Sequence, residues 1–234
     1  MINRYIIFIL QIIAYLSIIP MILYGNIYHY FLAFLCYFLF NGIGMIMIYH
    51  RLLSHRVFNP PKNLEYIGAF LATFSITGSA ITWVAMHRQH HAYSDTEKDP
   101  HSPDFLGWFK VQFTTVFANI KGKYAVDLMR DKFYLWQHKN YLWIILGYSL
   151  LLYFIEPFAV VYLFLFPAGL SLWFGTLVLS LCHKDYKPRS LFWLGIITFG
   201  DAFHAEHHNN PQAIRLDKYD LVGFLIEKYN SYAT

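Results

Sequence analysis

The chain has 234 residues, of which 57% are apolar, 20% aromatic and only 14% charged, where ordinary soluble domains carry roughly a quarter charged. With a mean hydropathy of +0.37, this excludes an ordinary water-soluble globule and points to a chain that spends much of its length in lipid. A net charge of +4, spread through the polar segments rather than gathered in a basic run, excludes a nucleic-acid binder; Cys36 and Cys182, both inside apolar runs, exclude a disulfide framework and a cysteine zinc site.

A transmembrane helix needs roughly 20 predominantly apolar residues, and 5–24 meets this without a charge. No small-residue cleavage site follows it, so it reads as a retained span rather than a signal peptide. A second span is expected over 30–49, and the short break at 25–29 makes the two a helical hairpin. Segment 64–86 is apolar but diluted by Thr73, Ser75, Thr77, Ser79 and Thr82. Segments 141–155 and 158–182 form a second hairpin broken by Glu156 and Pro157, a charge and a helix breaker suited to an interfacial turn. The run 191–203 is too short to span.

Lysine and arginine collect on the cytoplasmic side of membrane proteins. Arg4 supplies one, the segment 51–139 eleven and the segment 184–228 six, which accounts for all 18, and the two hairpin turns carry none. A single crossing by 64–86 would divide this one-sided set, so that segment is expected to lie along the interface or to dip in and return. The sequence thus predicts an all-α integral membrane protein with one domain over 1–234. It has four transmembrane helices in two hairpins and a cytoplasmic helical cap made of 50–140 and 183–234.

Nine of the 12 histidines fall in or beside that cap: His50 and His55 in HRLLSH, His87, His90 and His91 in HRQHH, the lone His183, and His204, His207 and His208 in HAEHH. The second and last groups have the spacing i, i+3, i+4, so each is expected to offer three imidazoles to one point from a single helical arc. His50 and His55 diverge on an ideal helix, but His50 ends a span, where the helix can loosen. Single histidines at an interface dip their polar tips among headgroups, the reading for His29 and His138; His101, in DPHSP, reads as a turn or supporting residue. Crowded imidazoles repel once protonated and are expected together where a metal holds them neutral. Nine nitrogens exceed one coordination sphere, so two metals are the economical reading, and imidazole suits iron, zinc, copper or nickel alike. Neutral ligands leave the ions' charge uncompensated, and acids stand nearby to support them: Asp95 and Asp99 after the second group, Asp201 and Glu206 at the last. Arg51, Arg56 and Arg88 alternate with the histidines and point away, toward phosphate, carboxylate or lipid headgroups.

In this order, HRLLSH, HRQHHAYSDTEKDPHSP and HAEHH with His183 before the last resemble the histidine boxes of the membrane-bound fatty acid desaturases, the second box and its DPH tail most closely those of the Δ9 acyl-CoA and acyl-lipid branch. The resemblance implies an enzyme with two Fe2+ ions, four transmembrane helices and a cytosolic cap that uses O2 and two external electrons to make a cis alkene, expected at Δ9. It implies that the nine box histidines bind iron and that Trp83, four residues before the second box, lines the acyl tunnel. The implied partners are a fatty acyl chain on CoA or lipid, O2, the membrane and a separate electron donor of cytochrome b5 or ferredoxin type, since no HPGG haem motif is present. Two positions depart from the pattern: Leu179 stands where animal acyl-CoA enzymes carry Asn, leaving a polar contact missing or supplied by Ser180, and Ala205 and Glu206 follow the first histidine of the last box. A membrane hydroxylase shares the boxes and iron, but its first box more often has the form HxxxH. A metal transporter would place ionisable ligands near the bilayer midplane, not at helix ends.

Overall fold

Asn3 opens the first helix by accepting from the Tyr5 amide at 3.0 Å. The computed structural model describes residues 3–233, and these are predominantly helical. Helix α1 (Arg4–Tyr24) loosens at Ser17, whose hydroxyl donates to the Ala14 carbonyl at 2.6 Å. Helix α2 (Ile27–Ser54) starts from a reciprocal cap: Asn26 accepts from the His29 amide at 3.1 Å, and His29 Nδ1 accepts from the Asn26 amide at 3.3 Å. His29 therefore caps a helix and stacks on Tyr162 with ring centroids 4.5 Å apart. From Phe38 to Ser54, α2 is wound as a π-helix, whose hydrogen bonds join residues five apart.

Helices α3 (Lys62–Ser75) and α4 (Ala80–Tyr93) form a pair bent by 85°. The bend is made by Ile76 (φ 57°) and Gly78 (φ 116°), left-handed conformations that are costly for a β-branched residue and free for glycine. Gln137 ties the two arms together: its amide nitrogen reaches Tyr49 Oη, the Ala69 carbonyl and Thr73 Oγ1 at 2.8–2.9 Å, and its oxygen accepts from the Ala80 amide at 3.1 Å. The backbone groups freed by the bend are thereby satisfied at apolar depth. A Cβ on Gly44 would meet the Ala72 backbone and one on Gly68 would meet Ile48, so these glycines let α2 and α3 approach closely.

After α5 (Trp108–Thr114), α6 (Lys132–Ile155) and α7 (Val161–Leu181), a short antiparallel hairpin pairs His183–Lys184 with Lys187–Pro188. Helices α8 (Phe192–Ile197), α9 (His204–Asn209) and α10 (Leu221–Ala233) complete the described residues. Helices α1, α2 and α7 are long and apolar enough to cross a membrane, and the bent pair makes a fourth candidate if it is one span. Helix α6 is not in that set. Its first half carries Lys132, Gln137, His138, Lys139 and Asn140, so the apolar stretch expected as the third span is the far half of a longer, mixed helix of 24 residues. Exposed Ile9, Ile13, Ile22, Phe31, Phe34, Leu151 and Phe154 give the bundle an apolar outer surface suited to lipid rather than water, as an integral membrane protein requires. One buried cluster, with Tyr49, Leu52, Ala69, Val84, Tyr134 and Ile226, packs beneath the first histidine group. A second joins α1, α6 and α7 through Tyr15, Tyr141, Phe164 and Leu172.

Candidate metal centre

The nine box histidines meet in two groups. His50, His55, His87, His91 and His207 form one, and His90, His183, His204 and His208 the other; within each, the potential ligand atoms lie within 4.8 Å of one another. The π-winding of α2 brings His50 and His55, five apart in sequence, onto one side of the chain. The two HxxHH helices do not each aim at one point, as their spacing suggests. Helix α4 sends His87 and His91 to the first group and His90 to the second, whereas α9 sends His204 and His208 to the second and His207 to the first. Each helix therefore bridges both groups, and the His91 and His208 rings stack where they meet, 4.5 Å apart.

The rings converge through Nε2. In the first group the Nε2 separations are 3.0 Å for His50 and His207, 2.8 Å for His55 and His87 and 2.9 Å for His91 and His207. In the second they are 3.2 Å for His90 and His208, 2.8 Å for His183 and His204 and 3.0 Å for His204 and His208. A metal about 2.1 Å from each nitrogen would put neighbouring donors about 3 Å apart and opposite ones about 4.2 Å apart, so both groups fit one ion each. Carboxylates face the other ring nitrogens: Asp99 Oδ2 is 2.8 Å from His90 Nδ1 and Asp95 Oδ1 is 2.9 Å from His183 Nδ1. An Nδ1–H donated to a carboxylate leaves the Nε2 lone pair for a metal and fixes the ring. Asp201 Oδ1 lies 2.8 Å from His50 Nδ1, within ion-pair distance but off the line of a hydrogen bond. Asp95 holds a left-handed backbone (φ 59°) to reach its place, a conformation that aspartate tolerates.

Burial, followed by repulsion from neighbouring imidazoles, holds His55, His204 and His207 far below the ordinary histidine range and lowers His208 to about 3. These rings are neutral at physiological pH, the form a metal binds. The donor set, all imidazole in two adjoining groups, is arranged for a diiron cofactor.

Glu206 is not brought to the site. It is exposed and accepts from the Ser190 hydroxyl, because a residue two positions after His204 on a helix lies on the opposite side from His204 and His208. Ser180 does not supply a polar contact in place of Leu179; its hydroxyl donates to Gln112 Oε1 at 3.3 Å. The arginines find protein carboxylates. Arg51 is fully buried on Asp220 at 2.8 Å, while Arg88 and Arg56 meet Asp127 at 2.8 and 3.4 Å. His138, half-buried, pairs with the Ser79 hydroxyl at 2.7 Å.

Trp83 stacks on His87 at 5.0 Å with ring planes 13° apart. It lines two cavities. One reaches Arg4, Thr82 and His138; the other is lined by Met45, Met86, Leu172 and Leu179 together with Gln11, Asn41, His87, His101 and Asp201. His101, expected from the sequence as a turn or supporting residue, stands in this wall with its Nδ1 3.8 Å from Asp99.

Several desaturases are similar to this chain. A Nostoc sp. protein named sn-2 palmitoyl-lipid 9-desaturase is 35% identical over 192 residues, covering 75% of this chain and 67% of that protein. The Delta-9 acyl-lipid desaturase 2 of Arabidopsis thaliana is 34% identical, covering 74% and 61%, and a Synechocystis sp. protein named sn-1 stearoyl-lipid 9-desaturase is 34% identical, covering 76% and 60%. The chain thus spans about two thirds or less of the length of these relatives. The family model for fatty acid desaturases matches residues 26–221, a stretch that takes in both helices flanking the first bend and all nine clustered histidines, and the chain belongs to that family.

Proposed function

We propose that this protein is an O2-dependent desaturase that converts a saturated fatty acyl chain, carried on a lipid or on CoA, to a cis alkene at Δ9. The observation that carries the reading is the pair of convergent imidazole groups beside a cavity that His87 of the first group lines, and the relatives named 9-desaturases support the position of the double bond. His50, His55, His87, His91 and His207 would hold one iron, and His90, His183, His204 and His208 the other. An iron pair, when bound, supplies with O2 and two electrons the oxidising power that removal of hydrogen from an unactivated methylene requires.

The chain's own residues do the positioning. Asp99 and Asp95 accept the Nδ1 protons of His90 and His183 and keep both rings aimed inward. Met45, Trp83, Met86 and Leu172 wall the cavity with apolar surface, which excludes water and fixes the register of an acyl chain against the histidines. Trp83, held by its stack on His87 and shared by the walls of the two cavities, is placed to bend the chain there. The electrons come from an external reductant, for which a donor of cytochrome b5 or ferredoxin type is suited.

The one-sided distribution of lysine and arginine supports a metal centre on the cytoplasmic side, with 1–234 forming one domain of two helical hairpins and a helical cap. The 85° bend between α3 and α4 supports a segment that dips into the membrane and returns. A cysteine introduced at exposed Tyr28 is expected to react with an impermeant thiol reagent from outside the cell and one at exposed Asn209 only after permeabilisation; the reverse pattern would invert the topology. Expression in a host with a competent electron donor, followed by mass spectrometry of its lipids, tests the reaction. New cis-Δ9 monounsaturated chains are expected; hydroxylated chains without a new alkene would replace the desaturase reading with a hydroxylase.

A further inference from the structure

His101 is 1% exposed, and neither of its ring nitrogens has a hydrogen-bond partner. The nearest carboxylate oxygen, Asp99 Oδ1, is 3.8 Å from Nδ1 and already accepts from the His101 amide at 3.0 Å. The other Asp99 oxygen serves His90 Nδ1 and the Asp95 amide. His204 and His207 also bury an unpartnered Nδ1, but their Nε2 atoms point into the clusters. Among the described histidines, His101 is the one buried with both nitrogens free. Burying an imidazole without partners is unfavourable, and such a group signals a ligand, ion or solvent molecule that completes it.

Its surroundings identify that ligand. The His101 ring lies against His90 of the four-histidine group with centroids 4.3 Å apart, and it also lines the cavity bordered by Leu179, Asp201 and, from the first group, His87. The second group has one imidazole fewer than the first, and His101 is outside its 4.8 Å set of donors. We infer that His101 holds the open position of the second metal indirectly: its ring donates a hydrogen bond to the solvent molecule or small anion that enters there from the cavity. It is thus a binding residue for the exchangeable ligand. Leu179, in the same cavity wall, offers no competing polar group. This inference rests on the two-iron reading above.

Azide is the probe, titrated into the iron-loaded, oxidised full-length protein and followed by its charge-transfer absorption, with iron counted in the same samples. His101→Phe is expected to weaken azide binding about tenfold, the effect of one lost hydrogen bond, with His101→Gln intermediate. Adding Leu179→Asn to His101→Phe should restore affinity by returning a donor to the same wall, which repair of packing alone would not do. If His101→Phe loses iron, loss confined to the second site with retention of the first supports the assignment. Loss of both irons from His101→Phe and His101→Gln, or unchanged azide affinity in a variant that keeps both, overturns it. A wild-type protein without an iron pair would instead overturn the functional reading itself, so the two failures are distinct.

Discussion

Helices α4 and α9 carry the same HxxHH spacing and use it in opposite ways. In α4 the i and i+4 histidines serve the five-imidazole group, and in α9 they serve the four-imidazole group. The two helices also differ in how they are held. α4 has 14 residues, a serine cap and a buried face of Ile81, Val84 and Ala85. α9 has six, too few to be stable by itself, and relies on contacts made around it. Ser190 takes the Ala205 amide at 3.0 Å and donates to Glu206. Gly200 (φ 113°) opens the preceding turn, where any Cβ would strike Asp220. Asp220 in turn is fixed by Arg51, the neighbour of His50. Spacing determines which nitrogens share an arc; the tertiary seat determines which metal they serve.

The largest effects are expected from the minority member of each helix. His90→Ala and His207→Ala each remove one donor from a different group and should abolish activity while iron falls from about two per chain to about one or fewer. His29→Ala, at a helix cap remote from both groups, should spare iron and activity. Full iron content in both cluster variants, measured by elemental analysis, would break the comparison at its root.

The borrowed support of α9 gives the next largest effect. Arg51 and Asp220 form a fully buried pair, and removing one partner of such a pair costs about 3–5 kcal/mol. Arg88 and Asp127 are partly exposed, and a pair of that kind contributes about 1 kcal/mol or less. Arg51→Ala should therefore lower the unfolding midpoint in detergent far more than Arg88→Ala. Equal losses would mean that the two boxes are held alike.

Acid acts on the metal-free protein through the same histidines. Burial lowers His208 to about 3 in the fold from an ordinary 6.5, so the unfolded chain takes up protons first as pH falls. Stability is unaffected by this group above about 6.5 and declines as pH drops from there toward about 3. Denaturant titrations across that window should show the decline, and bound metal should flatten it until the ligands protonate. The smallest effect is expected at Trp83, which walls the cavity without a polar contact. Trp83→Ala should lower the rate or scatter double-bond positions in the lipid products while iron content stays at its wild-type value.

Much of this centre is legible in the chain. Imidazoles at i, i+3 and i+4 must share a helical arc, and an acid placed just after a box can fold back onto it, as Asp99 does on His90, or reach a neighbouring ligand, as Asp95 does on His183. The division of each box between two groups is not legible, because it depends on where the opposite helix sits. Glu206 looks from its position like a supporting acid and is turned outward by helical phase. The π-winding that aligns His50 with His55 leaves no mark in an apolar run that would suit an ordinary helix equally well. Arg51 announces a buried or anionic partner, but Asp220 lies too far along the chain for sequence pattern to pair them. The polar first half of α6 is visible in composition, whereas its continuity with the apolar half is a matter of packing around Gln137.

The most direct test of the two-group arrangement is the iron content of the wild-type protein beside variants each altered in one group, His55→Ala for the first and His183→Ala for the second. The account expects about two irons per chain in the wild type, and about one in each variant, with the surviving iron in a different environment in the two, as Mössbauer spectra would show. A single iron in the wild type, or the same residual iron signal in both variants, would contradict it.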